Sequence, residues 1–130
     1  MRLAAILLLT ALPAAAQELR PIPGYFVEAA MQTSTANVLA VHCGRLSVDP
    51  VAAAQLSDRV LSRLNEEGIT PRILAEETED PTAAIAALQD AFVAKHGLAD
   101  GAPEEAVCAA GLAEIAEGTG IGALLVEVEE

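Results

Sequence analysis

The chain has 130 residues, a formal net charge of −12, two cysteines, one tyrosine, two phenylalanines and no tryptophan. Such an acidic balance argues against nucleic acid, whose phosphates need a basic patch, and against an anionic lipid surface. Hydrophobic residues make up 53% of the chain, but alanine dominates them, so the core suits close-packed helices that bury little area per residue and gain from a covalent staple.

Residues 1–16 read as a secretory signal peptide. Met1-Arg2 is a basic start, residues 3–12 are largely apolar, and Ala14-Ala15-Ala16 supplies small residues for cleavage between Ala16 and Gln17. The apolar run falls short of the ~20 residues that span a bilayer. No cysteine follows it, which excludes lipid modification at the cleavage point, and no later segment is long enough to span. The expectation is a periplasmic chain, soluble after processing. Losing Arg2 takes the charge from −12 to −13, which reads first as a solubility feature and, functionally, as suiting a basic periplasmic protein partner or a metal cation. The remaining residues suit one domain, 25–126, preceded by an extended arm at 17–24 and followed by an acidic tail at 127–130.

The arm carries Pro21, Pro23 and Gly24. Residues 25–44 fit a helix whose inward face is Val27, Met31, Val38 and Val41, ending at Gly44, although residues 36–43 also fit a short buried strand. Residues 45–48 read as a link. Asp49-Pro50 then starts a helix, because Asp caps the first free amides and Pro fits the first turn. Ala53, Leu56, Val60 and Leu64 face inward, and Gly68 stops it. Thr70-Pro71 opens a helix of about two turns. A break at Asp80-Pro81 precedes a helix over 81–96 with Ile85, Leu88 and Phe92 inward, and Lys95 and His96 suit its C-terminal dipole. Pro103-Glu104-Glu105 begins the closing helix, with Cys108, Leu112 and Ile115 on one face. After Gly118, the residues Ile121, Leu124, Leu125 and Val128 repeat at helical spacing, although residues 124–128 also alternate like a strand. Glutamates at 127, 129 and 130 predict a fraying end. The fold class is therefore all-α, with four or five helices.

Two cysteines in an exported chain most simply pair, so Cys43 and Cys108 are expected to form a disulfide. The chemical alternatives are weaker. No C-x-x-C supports thiol redox chemistry. His42 and His96 lack the paired short spacings of zinc ligands. Glu76, Glu77, Glu79 and Asp80 lack the alternation and glycine of a calcium loop and read as a solvated corner. Gly118-Thr119-Gly120-Ile121-Gly122 matches neither phosphate-binding glycine pattern and reads as helix punctuation. No serine sits in a nucleophile elbow. No catalytic, cofactor-binding or metal residue is assigned and no cofactor is expected. The leading expectation is a non-enzymatic interaction or accessory protein. The alternatives are an acid-stress chaperone, and a ligand carrier or hydrolase built on the acidic corner.

Residues 91–98 (Ala-Phe-Val-Ala-Lys-His-Gly-Leu), then Cys108, Gly111, Glu114-Ile115-Ala116, Gly118-Thr119-Gly120-Ile121-Gly122 and Leu124-Leu125, together with Cys43 after a first helix, give the chain its resemblance. It resembles a family of small secreted bacterial proteins classed only as a domain of unknown function. The resemblance implies a helical, periplasmic, disulfide-linked domain and carries over no activity.

Overall fold

Helix α1, Gly24–His42, is the element on which most of the others pack. Its middle is rich in poor helix formers, and three of them bond back to the preceding turn. Ser34 Oγ donates to the Met31 carbonyl at 3.1 Å, Asn37 Nδ2 to the Thr33 carbonyl at 2.9 Å, and Thr35 Oγ1 lies 3.5 Å from Met31 Sδ. Packing then outweighs the weak propensity. The structure is a computed structural model describing residues 18–129. The expected signal peptide, with its cleavage point between Ala16 and Gln17, lies outside the described residues.

The chain continues through β1 (Leu46–Val48), α2 (Pro50–Glu66), α3 (Pro71–Glu76), α4 (Thr82–His96) and α5 (Glu104–Glu117). A 3-10 turn, Gly122–Leu124, leads into β2 (Leu125–Glu127). The helix starts follow the expected logic. Asp49 accepts from the amides of Val51 and Ala52, and Thr70 accepts from Ile73 N. Asp80 accepts from the backbone and hydroxyl of Thr82 at 2.8 and 2.6 Å. Gly97 and Gly118 end α4 and α5 with φ of 61° and 66°, a conformation that favours glycine.

Several expectations need correction. Residues 45–48 are not a plain link, because β1 pairs antiparallel with β2, Leu46 opposite Glu127 and Val48 opposite Leu125. The last helix expected after Gly118 is a single 3-10 turn followed by that strand. Its helical and strand patterns were compatible locally, and a partner nearly eighty residues away decides between them. Glu127 does not fray: it bonds Arg45 at 2.6 Å across the pair, and Val128 N donates to the Arg45 carbonyl at 2.9 Å.

The inward face of α1 is also rotated. Val38 and Val41 are 55% and 78% exposed, whereas Val27, Thr35, Ala36 and Leu39 are buried. Cys43 follows Ala36 and Leu39 at helical spacing, and its bond toward α5 turns that side inward. α5 shows the same effect: Cys108, Ala110, Gly111 and Glu114 are buried, while Leu112 and Ile115 are only partly so. Small residues occupy both stripes because the backbones approach closely, so bulk alone misplaced the faces. A Cβ on Gly111 would overlap Leu46. The arm at 18–20 is extended, as expected, and pinned: Arg20 N donates to the Glu77 carbonyl at 2.8 Å, and Glu79 N to the Arg20 carbonyl at 2.9 Å.

The core gathers Ala36, Leu39, Cys43 and Leu46 with Phe92, Cys108, Ala110, Ile121, Leu124 and Leu125. Cys43–Cys108 is a disulfide with Cα atoms 5.2 Å apart. Beside it, Glu104 accepts from the Gly44 amide at 3.0 Å, which holds the first turn of α5 against the end of α1.

Candidate functional site

Glu114 is the most heavily buried charged residue described, at 2% exposure. It sits on the inner stripe of α5, two turns beyond Cys108. A carboxylate there requires partners, and the last turn of α4 supplies two. Lys95 Nζ donates to Glu114 Oε1 at 2.8 Å and to Glu117 Oε2 at 2.7 Å. His96 Nε2 lies 2.6 Å from Glu114 Oε1, so a carboxylate acceptor requires that nitrogen to carry its proton. On the other oxygen, the Thr119 hydroxyl donates to Glu114 Oε2, and the same hydroxyl accepts from Gly122 N at 3.1 Å. Phe92 backs the His96 ring, with centroids 4.8 Å apart.

Burial pushes the Glu114 carboxyl up, but bonds from Lys95, Thr119 and His96 outweigh it and hold it below the usual carboxylate range. The bonds to Glu114 and Glu117 push the Lys95 ammonium up. Lys95 is the chain's only lysine, and both of its carboxylate partners lie on α5. The cluster is a polar lock joining α4, α5 and the glycine-rich turn. Its carboxylate is closed to solvent, its hydroxyl is engaged at both ends, and it presents no free nucleophile.

This lock borders an open groove of about 420 Å³ lined by Glu28, Met31, Gln32, Leu88, Phe92 and Lys95, among others. Two adjoining depressions of about 360 and 300 Å³ form a more apolar trough between α1, α2 and α3. Phe26, Val60 and Leu61 line both depressions. Leu56 lies at one end of the trough, and Leu64, Ile69 and Leu74 at the other. Tyr25, at the start of α1, donates its hydroxyl to Glu67 at 2.9 Å and lies under the Arg63 guanidinium, 4.1 Å from the ring centre.

The residues singled out from sequence are dispersed. The two cysteines meet in the disulfide. His42 is exposed at the end of α1, far along the chain from His96, whose partner is a carboxylate. Among the described residues no group of three or more His, Cys, Asp and Glu is placed to hold a metal ion, and no helix is long and apolar enough to cross a membrane. Glu76 and Glu77 face Arg72 at 3.4 and 3.5 Å, and Asp80 is held low by Thr82 while serving the start of α4. The acidic corner is thus solvated helix punctuation.

The glycine run does three different jobs. Gly118 takes the left-handed cap. Gly120 lies against the Gln32 amide. Gly122 abuts the Glu114 carbonyl so closely that no Cβ fits. Sequence reasoning missed Glu114 as a buried charge. The available signal was a glutamate three and six residues beyond Gly111 and Cys108, in a chain whose only lysine stands beside a histidine at a helix end.

These features define a class of protein: a small helical domain stapled by one disulfide and locked by one buried carboxylate. The chain belongs to the family of unknown function DUF5333, which matches residues 22–126. No curated protein and no solved structure matches it.

Proposed function

We propose that the chain is an exported, non-enzymatic interaction module that engages a basic periplasmic protein. The observation that carries this reading is the apolar trough, left open on a surface of strong net negative charge. Large apolar side chains gathered in one depression are characteristic of contact surfaces, whereas scattered ones are ordinary. Export is supported by the signal-like residues 1–16 and by the disulfide, which persists in oxidising compartments. The test is capture from a periplasmic extract of the source organism on the immobilised, oxidised chain. A discrete basic partner that elutes with rising salt is expected, because screening weakens attraction between exposed charges. Failure to capture any salt-sensitive partner overturns the reading.

A second reading, an acid-stress chaperone, draws on the lock itself. Protonating Glu114 removes the buried charge that Lys95 and His96 share, leaving Lys95 only Glu117 as its carboxylate partner, and so loosens α4 from α5 and exposes the apolar residues beneath. Light scattering of an aggregating client at acid pH decides it. Unchanged client aggregation removes this reading.

A further inference from the structure

We infer that the trough between α1, α2 and α3 receives an amphipathic helix of the partner, apolar on one face and flanked by lysine or arginine. This rests on the reading of the chain as an interaction module and specifies its site.

The trough floor is continuous, since Phe26, Val60 and Leu61 belong to both of its halves. Leu61 is 60% exposed although it sits among apolar neighbours, so its surface is left for something else to cover. From Leu56 to Leu64 the trough follows α2 for about 12 Å at 1.5 Å per residue. That length accommodates side chains at i, i+3, i+4 and i+7 of one docking helix. Its walls are helices whose backbone groups are already paired, so an added strand would find no open edge.

Charge selects the partner. Between residues 50 and 80 there are seven carboxylates and three arginines. Two of the arginines are engaged, Arg63 with Glu67 and Arg72 with Glu76 and Glu77. Asp58 and Glu66 are exposed on α2 and Glu79 in the link just beyond α3, with Arg59 as the remaining cation of this stretch. A second copy would bring the same negative surface and the chain's full net charge against itself, whereas a cationic helix gains from both.

Two peptide probes test this, both free of tyrosine and tryptophan. Each carries leucine at i, i+3, i+4 and i+7, one with lysine on its polar face and the other with glutamate. The sole tyrosine, Tyr25, sits at the rim and reports binding by fluorescence, and amide chemical shifts map it. The lysine peptide is expected to bind saturably, to shift residues 26, 60, 61, 69 and 74, and to bind about ten-fold more tightly than the glutamate peptide. Leu61→Glu should leave the melting temperature unchanged and weaken binding about ten-fold, while Leu61→Met retains it.

Shifts confined to the Met31–Phe92 groove overturn the inference, as does equal binding of the two peptides or undiminished binding by L61E. Self-association that L61E abolishes also overturns it, by making the trough a dimer interface. The two readings separate in the capture experiment. A salt-sensitive partner still captured by L61E preserves the interaction module and removes this site, whereas capture lost with L61E supports both.

Discussion

A buried carboxylate is costly alone, and Glu114 is kept ionised by three donors from two separate segments. Its folded-state pKa lies below the ordinary value. Its contribution to stability is therefore complete above the ordinary carboxylate range and is lost as pH falls through the folded-state value. Lys95 is the counterpart: its raised pKa makes its contribution complete below the ordinary lysine value and lost as pH rises beyond it. Between them lies a plateau from about pH 5 to about pH 10. Glu114→Gln is expected to lower stability by about 2 kcal/mol at neutral pH, the scale of hydrogen bonds to a charged group. The deficit should shrink as pH falls through the folded-state value, where the native carboxyl also takes up a proton, and urea unfolding on the acid side measures it. A constant deficit would place the cost in shape rather than charge. His96 and Lys95 were both legible as helix-end cations. Their shared acceptor was not, because nothing local says that a mid-helix glutamate points inward.

The elements themselves were largely legible. Asp49-Pro50, Thr70-Pro71, Gly97 and Gly118 act through backbone geometry, which is a property of the residue and its immediate neighbours. Which side of α1 and α5 faces in was not legible, since Ala36, Thr35 and Gly111 are selected for closeness of approach and carry little hydrophobic signal. The C-terminal strand was equally hidden, because Leu124 and Leu125 suit either pattern until Leu46–Val48 lies beside them. Gly122 belongs to this scale. Its φ is not positive, yet a Cβ would collide with the α5 backbone at Glu114 and Ile115, and backbone cannot swing aside as a side chain can. Gly122→Ala should cost about 3 kcal/mol through overpacking. Gly24→Ala, with open space around it, should change little. Thermal unfolding of the two variants by circular dichroism compares them directly.

Across the whole molecule, the disulfide joins residues 65 apart in sequence. The enclosed loop holds β1, α2, α3 and α4, so the bond ties the end of α1 to α5 around most of the chain. Replacing both cysteines with serine should lower stability by about 4 kcal/mol, the chain-entropy estimate for a loop of this length. Urea unfolding of the oxidised protein, the reduced protein and the double variant checks it, and the last two should agree. A small core poor in aromatics leaves little reserve against such a loss. The same economy explains why α4 is held to α5 partly by a charge cluster, where a larger apolar contact would serve in a bigger domain.

By itself the sequence determined the helical class, the helix starts and stops, the cysteine pairing and the acidic surface. Each of these follows from local backbone preferences, from composition, or from there being a single partner available. Tertiary structure alone decided the rotation of α1 and α5, the pairing of β1 with β2, the burial of Glu114 against Lys95 and His96, and the opening of the trough. These depend on which surfaces meet across tens of residues, where close packing and the need to satisfy buried polar groups select among patterns that are locally equivalent.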